Sequence, residues 1–139
     1  MVAPPAPCPP DFVNIANEGI TSTNFGEKIG TLLLEFAKNA RFKGKKGIYI
    51  PPGRYKMQEI AMVHAPGLDL RGAGMWHTVL YDDRGKEADW GTPGFNLNGM
   101  AATFSDFAIF GGGHTRTGNG KPFNNAYGDG TTMRNLWIE

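Results

Sequence analysis

The pattern of apolar and polar positions changes once along the chain, near Gly44. Before that point, apolar side chains recur at helical spacing and lie on a single face. Asn24 and Glu27 are spaced as in a capping box, and Gly44 follows basic residues that suit the C-terminal end of a helix. The pattern predicts one amphipathic helix over Gly26–Arg41. Its apolar positions are Ile29, Leu32, Leu33, Phe36, Ala37 and Ala40.

After Gly44 the chain consists of short apolar runs between turn residues, a pattern that predicts β-strands. Turns are predicted at Pro51–Gly53, Pro66–Gly67 and Gly72–Gly74. Side chains in the last long run alternate between two faces, as in a strand with one buried face. The predicted strands are Gly47–Ile50, Glu59–Val63, Leu68–Arg71, Thr78–Tyr81, Phe95–Leu97, Phe104–Phe110 and Met133–Ile138.

Two folds fit these short strands. No helical segment separates them, which disfavours alternating β-α-β units. Asn98-Gly99 and Asn119-Gly120 are hairpin dipeptides, so an antiparallel sandwich stays an alternative. A single amphipathic helix followed by the strand and turn IYIPPGRY favours a parallel β-helix, because a helix over the first coil covers its apolar edge. We therefore predict an all-β fold, a parallel β-helix of a few coils with an N-terminal capping α-helix.

The first residues differ in composition from the remainder. Residues 1–11 begin MVAPPAPCPP, and this proline content favours an extended lead-in that lies on a surface or acts as a linker. Residues 12–139 are predicted to form the partial β-helix domain, with the cap region over 12–46 and the coils over 47–139. Cys8 is the only cysteine, so no internal disulfide can form. We expect a free thiol in a flexible segment, with a disulfide to a further chain segment as the alternative.

Composition and charge exclude several classes of protein. The chain has 20 Gly and 10 Pro among 139 residues, which indicates many turns. With 14 Lys and Arg against 13 Asp and Glu, the net charge is +1, so no excess of cations is present to neutralise nucleic-acid phosphates. No apolar run is long enough to span a membrane, and the first residues lack the pattern of a signal peptide. We therefore expect neither a nucleic acid nor a membrane as partner.

The sequence also contains no motif for a metal or a cofactor. His64, His77 and His114 are scattered, and no carboxylate lies at metal-ligand spacing from them. The glycine-rich stretches lack the residues that follow glycines in a phosphate-binding loop. We predict no cofactor and no metal site. Calcium held by loop oxygens around Asp82, Asp83 or Asp129 stays an alternative.

Four stretches of the sequence resemble known proteins. IYIPPGRYKM at 48–57 resembles the first coil of pectate-lyase-like right-handed β-helices. LDLRGAGMWHTVL at 68–80, FSDFAIFG at 104–111 and MRNLWIE at 133–139, in this order, resemble the catalytic module of glycoside hydrolase family 87, the α-1,3-glucanase and mycodextranase group. Dextranase family 49 is a near alternative. The resemblance covers residues 12–139.

The resemblance implies a right-handed β-helix and a secreted enzyme that hydrolyses α-glucan with inversion. It also implies three catalytic aspartates, which the family carries after the position matching NLWIE. No segment here matches them, so we expect them beyond residue 139 and no catalytic residue within this chain. We predict the N-terminal portion of a polysaccharide-degrading hydrolase, inactive by itself. The alternatives are a non-catalytic β-helix module for glycan binding or protein assembly, and a truncated reading frame without function.

Carboxylates in this chain have simpler interpretations than catalysis. Asp82-Asp83 is an adjacent pair, but it lies in the polar turn YDDRGK with cations nearby. Neighbouring cations lower a carboxyl pKa, whereas a general acid needs a raised one. We predict a solvated turn at this pair and a structural role for Asp106.

Aromatic rings are the side chains that stack on the apolar faces of sugars. Trp90 stands among loop residues and is predicted to be exposed, Trp76 fits either the core or a groove, and Trp137 is predicted to pack within a coil. The long polar segment 112–129 is typical of functional loops on rigid scaffolds. The predicted substrate-binding residues are Trp90, Trp76, His114, Arg116, Asn125, Asp129 and Glu139.

The last predicted strand has an expected consequence for association. Leu136–Glu139 continues a strand pattern, and nothing in the sequence given covers the final coil. An open coil presents unpaired backbone groups and an apolar interior, and a net charge near zero opposes contact only weakly. We expect self-association through this C-terminal face, besides α-glucan as the polysaccharide partner.

Overall fold

The computed structural model describes residues 2–57, 60–82, 94–111, 123–124 and 130–139. Helix α1 is Phe25–Lys38, and short 3-10 turns cover Ile15–Glu18 and Ala40–Phe42. The remaining elements are short strands joined by turns. They are β1 (Phe12–Asn14), β2 (Gly47–Ile50), β3 (Gly53–Lys56), β4 (Ile60–Met62), β5 (Leu68–Gly72), β6 (Thr78–Tyr81), β7 (Gly94–Asn96), β8 (Ala102–Phe110), β9 (Phe123–Asn124) and β10 (Thr132–Ile138).

The strand pairs among the described residues are all parallel, and they form three tracks. The first track is β1, β2, β5 and the first half of β8; the second is β3, β6 and the second half of β8. β10 pairs with β8 along both halves. The third track is β4, β7 and β9. The expected parallel architecture is therefore confirmed at this level.

The antiparallel alternative fails at the hairpin dipeptides. Asn98 and Gly99 do form a turn, with φ of 52° and 75°. This turn joins β7 to β8, which belong to different sheets and do not pair. Asn119-Gly120 lies outside the described residues. The sequence signal for a turn was correct, but the strands on either side of Asn98-Gly99 continue into separate tracks.

Matching register positions build one apolar core between the tracks. In the first track Ile48 aligns with Leu70, and Leu70 with Phe104; all three are fully buried. The third track adds Phe95, whose ring centroid lies 5.3 Å from that of Phe104. The strands inside the first track, β2, β5 and β8, therefore bury their inner side chains between neighbouring strands, as in stacked repeats.

Helix α1 covers this core beside β3 and β4, where the amphipathic pattern placed it. Its buried residues are Phe25, Ile29, Leu32 and Leu33. Phe25 reaches across to β3, and its ring centroid lies 5.3 Å from that of Tyr55. The predicted helix and its buried face are thus present.

The two ends of the helix differ from the prediction. α1 ends at Lys38 rather than Arg41, because Asn39 takes an extended conformation and its side chain accepts a hydrogen bond from the Arg41 amide. At the N-terminal end, the side chain of Asn24 makes no capping bond to the helix. Its side-chain oxygen accepts instead from the Thr21 amide at 2.7 Å. The predicted capping box is therefore wrong, because the preceding turn takes its acceptor.

Most predicted strands appear within one or two residues of their expected ends, but β1, β3 and β9 were not predicted. β1 and β9 are too short for an alternating pattern to show. β3 begins directly after Pro51-Pro52, in a stretch that carried a turn signal. The division of the chain at residues 11 and 12 stays a prediction.

Burial of Leu33 makes the capping role of α1 testable. Leu33 is 1% exposed, whereas its neighbour Leu34 is 36% exposed. We expect Leu33→Asp to lower the free energy of unfolding by about 3–5 kcal/mol, because it buries an unpaired carboxylate. Leu34→Asp is the matched control and should change it by less than about 1 kcal/mol. Urea denaturation followed by circular dichroism measures both; equal effects would contradict the packing of α1 on the core.

Candidate functional site

The chain bends between the first and second tracks along one row, which we call the bend row. It consists of Pro51–Pro52, Ala73–His77, Asp106 and Asn135. Asp106 and Asn135 each make the bend as a single residue, with left-handed φ of 64° and 51°. Asp and Asn are the non-glycine residues that tolerate this conformation best. The bend row therefore places two short polar side chains next to each other on adjacent strands.

Gly72 lets the longer bend lie closely against Asp106. A Cβ atom at Gly72 would collide with the carbonyl oxygen of Asp106 and lie 2.9 Å from Cβ of Phe107. The Gly74 amide donates to the same Asp106 carbonyl at 2.8 Å, and the amides of His77 and Thr78 both donate to the Gly74 carbonyl. The turn 73–77 is thus fixed by backbone bonds, and it holds its side chains over the bend row.

Trp76, at the tip of this turn, contacts Trp137 on β10. Their ring centroids are 5.1 Å apart and the rings are tilted by 50°. Trp76 is 57% exposed and Trp137 is 41% exposed. The sequence left Trp76 either in the core or in a groove, and the structure shows it outside the core. The prediction that Trp137 packs within a coil is wrong, because its side chain points outward from the second track next to Ala108.

Polar groups flank the tryptophan pair. The amide Nδ2 of Asn135 donates to Oδ1 of Asp106 at 3.1 Å. The indole nitrogen of Trp137 donates to Oε2 of Glu139 at 3.2 Å. Glu139, a predicted substrate contact, therefore lies beside the tryptophan pair. Asp106, for which the sequence predicts a structural role, accepts the bond from Asn135 and also lines a pocket.

That pocket has a volume of about 500 Å³ and lies between the N-terminal segment and the bend row. Val2–Pro4 and Ala6 form one wall; Trp76, His77, Asp106 and Asn135 line the other. The Ala6 amide donates to the Ala73 carbonyl at 2.9 Å. Nε2 of His77 lies 2.6 Å from the Ala3 carbonyl oxygen. The lead-in therefore lies on the surface, as one interpretation of its prolines expected.

Cys8 lies in the same segment and is half-buried rather than free in solvent. It packs against a small cluster of Phe12, Tyr49 and Ala73, and it forms no disulfide. The Tyr49 hydroxyl donates to the Ala6 carbonyl. Burial raises the pKa of the Cys8 thiol, and the nearby Lys45 charge lowers it to a smaller extent. The expected flexible segment is thus fixed at this point by packing and hydrogen bonds.

Asp82 differs from its predicted setting. It is 4% exposed, and its amide donates to the Phe110 carbonyl at 3.1 Å, so the parallel pairing continues through it. The prediction of a solvated turn at this residue is wrong, because the backbone pairing between β6 and β8 extends one residue beyond β6, to Asp82. Its neighbour Asp83 lies outside the described residues.

Several predicted contacts cannot be placed. Trp90, His114, Arg116, Asn125 and Asp129 lie outside the described residues and stay predictions. Within the described ranges, no three His, Cys, Asp or Glu side chains lie close enough together to hold a metal ion. None of the described helices combines the length and hydropathy that spanning a bilayer requires.

The parallel tracks and the helix that covers their core define a class, a domain of parallel β-strands with an N-terminal helix. Comparison with protein families identifies the family. The model described as "Alpha-1,3-glucanase catalytic domain D2" matches residues 22–139. The chain therefore belongs to this family, and the resemblance seen in the sequence is confirmed. No curated protein sequence matches the chain.

Solved structures agree with this assignment. The catalytic domain of GH87 α-1,3-glucanase in complex with nigerose is 27% identical, with a TM-score of 0.74 over 99% of this chain. An aspartate-to-alanine variant of such a domain in complex with tetrasaccharides is also 27% identical, with a TM-score of 0.73. The chain spans 23% of the length of either structure.

Docking of the N-terminal segment predicts low reactivity of Cys8. The raised pKa leaves less thiolate at any given pH, and packing restricts access, so we expect the thiol to react with Ellman's reagent at least tenfold more slowly than in the urea-unfolded chain. Tyr49→Phe removes the bond to the Ala6 carbonyl and should raise the rate several-fold. Tyr81→Phe, on the second track, is the control and should leave it unchanged. Equal rates in native and unfolded chains would contradict docking.

Proposed function

We propose that the protein to which this chain belongs hydrolyses α-1,3-glucan. The observation that carries this proposal is the family match over residues 22–139. The similarity to catalytic domains solved with nigerose and with tetrasaccharides supports α-linked glucose as the sugar. Because the chain covers 23% of those domains, it would form one part of the catalytic domain.

For the fold, we propose that the three tracks are the faces of a right-handed parallel β-helix. The chain passes from β2 to β3 to β4, and β5, β6 and β7 then repeat this order in parallel register. β8, β9 and β10 continue the same rows. Connections between parallel strands of one sheet are right-handed in roughly 98% of cases, which supports this hand. α1 would act as the cap of the first coil.

Hydrolysis with inversion needs two carboxyl groups about 6.5–9.5 Å apart, one to protonate the leaving oxygen and one to activate water. Three of the described carboxylates have other partners: Asp69 pairs with Arg71 at 2.9 Å, and Asp106 and Glu139 accept the hydrogen bonds given above. We assign catalysis to parts of the domain without counterpart in this chain. The role of this chain would be to bind glycan. Among the residues that the structure describes, Trp76 and Glu139 would contact it. Further contacts would come from Trp90, His114, Arg116, Asn125 and Asp129.

A second candidate is a non-catalytic glycan-binding module, and the exposed Trp76–Trp137 pair is the observation that favours it. Such a module would bind insoluble α-1,3-glucan without releasing sugar. Glucan polymer does not cross a cell membrane, so either function would require the protein to act outside the cell. We therefore propose a secreted, carbohydrate-binding domain of the pectate-lyase-like kind.

Sugar release tests the proposed function. We expect the complete protein to release reducing sugar from α-1,3-glucan and to act at least tenfold more slowly on dextran, an α-1,6-glucan. The first product should be the β-anomer, as inversion requires. The 139-residue chain by itself should release none, because it spans 23% of the solved domains. Binding to the glucan without release by the complete protein would favour the second candidate.

We also propose that the isolated chain self-associates through β10. Met133 and Ile138 are 43% and 45% exposed, although they align with the buried Phe104 and Ile109. Among the described strands β10 pairs only with β8, so its other edge presents free backbone groups. Light scattering should show a mass that rises with protein concentration. Ile138→Lys should make this rise smaller. Met62→Lys is the control at another exposed apolar position. A constant monomer mass would contradict association.

A further inference from the structure

Charge is distributed unevenly along the chain, although the net charge is +1. Residues 1–57 carry eight Lys and Arg against four Asp and Glu, a net charge of +4. Residues 58–139 carry six against nine, a net charge of −3. Most of the positive excess lies in residues 38–46, KNARFKGKK, which we call the basic segment; it contains five Lys and Arg and no Asp or Glu. A charge asymmetry of this kind indicates an anionic partner.

Backbone hydrogen bonds and one buried ring hold the basic segment in a defined conformation. The Lys45 amide donates to the Phe42 carbonyl at 3.0 Å. The Lys46 amide donates to the Asp11 carbonyl at 2.7 Å, which ties the segment to the residue before β1. The side chain of Phe42 is 5% exposed and belongs to the main core. The charges are therefore presented on an ordered turn, so binding need not first order the backbone.

Arg41 and the lysines of the basic segment differ in their partners. Arg41 forms ion pairs with Glu18 and, at 3.2 Å, with Glu35, so these carboxylates are already engaged. The four lysines are exposed, and no ion pair of theirs is seen in the part of the chain that the structure describes. Four hydrated cations on one turn therefore remain available to an external anion.

The basic segment lies at one end of the first track, and the bend row lies at the other. Lys46 directly precedes β2, and Pro51–Pro52 of the bend row directly follow it. The four residues of β2 span roughly 13 Å at about 3.3 Å per residue. A partner bound at the basic segment would therefore leave Trp76 and the rest of the bend row accessible.

The composition of the basic segment selects a polyanion that is bound by charge alone. Protein interfaces have an apolar centre that is depleted in lysine, and membrane-bound segments insert apolar side chains. The structure describes the whole basic segment, and its one large apolar side chain, Phe42, is buried. Single-stranded nucleic acid is bound by aromatic stacking as well as by charge, and no ring is exposed here. Lysine ammonium groups on flexible stems instead fit carboxylates that are spaced along a polymer.

We propose that the basic segment is a docking site for an acidic polysaccharide, a polymer whose sugar units carry carboxylates. Neutral α-1,3-glucan offers these lysines no charge, so the site goes beyond the proposed function. The inference rests on that function only for a location outside the cell, where an acidic polysaccharide and the glucan can occur together. Docking through the basic segment would hold the protein near its substrate without occupying the bend row.

Fluorescence anisotropy of labelled alginate, a polymer of uronic acids, tests the site when the 139-residue chain is titrated into it. We expect binding at about 50 mM salt that weakens about tenfold or more at 200 mM, because contact with several lysines releases counterions from the polymer. The propylene glycol ester of alginate, in which most carboxylates are uncharged, is the matched ligand control and should bind about tenfold more weakly or not at all.

A pair of double variants locates the binding. Lys43→Gln combined with Lys45→Gln should weaken alginate binding about fivefold or more, because it removes two of the four lysines of the basic segment. Arg54→Gln combined with Lys56→Gln removes the same charge from β3 and should change the affinity less than about twofold. Circular dichroism and thermal melting of each variant separate loss of the site from loss of the fold.

Equal weakening by the two folded double variants would overturn the site, since the attraction would then come from overall charge. Absence of alginate binding at low salt would overturn it as well. Tighter binding to polyglutamate, to single-stranded DNA or to phosphatidylserine vesicles than to alginate would overturn the polysaccharide as the partner. Sugar release from α-1,3-glucan by the complete protein is a separate measurement, so failure of the docking site and failure of the proposed function are distinguishable.

Discussion

The structure depends on the parallel register that stacks each strand on the strand before it. Ile48, Leu70 and Phe104 occupy one row of this register, and each is buried by its neighbours in the row. A single strand of this length cannot bury its own inner face, so each strand is stabilised only by the neighbours on which it stacks. Helix α1 serves the same constraint, since its apolar face covers core side chains beside β3 and β4.

The bend row follows from that register. Strands in register must turn at the same place, and Asp106 and Asn135 achieve the turn with one left-handed residue each. Because β8 and β10 pair, the side chains at these two turns lie next to each other. The longer turn at 73–77 has room for an outward side chain, and Trp76 occupies it. The contact between Trp76 and Trp137 and the bond between Asn135 and Asp106 therefore both follow from how the strands are joined.

Family membership gives these contacts their context. The chain belongs to the α-1,3-glucanase catalytic domain D2 family. It aligns with 23% of the length of solved chains that hold such catalytic domains in complex with nigerose or tetrasaccharides.

The sequence by itself determined the helix, most strands and the family, because these depend on short-range periodicity and on local motifs. It did not determine the candidate site. Trp76 meets Trp137 only when separate turns of the chain stack, and unequal loop lengths hide the period that would align them. The same holds for Asp82. The polar residues around it in the sequence predicted exposure to solvent, but the sheet extends to Asp82 and buries it. Contacts between stacked strands are decided by register, and register is a property of the folded chain.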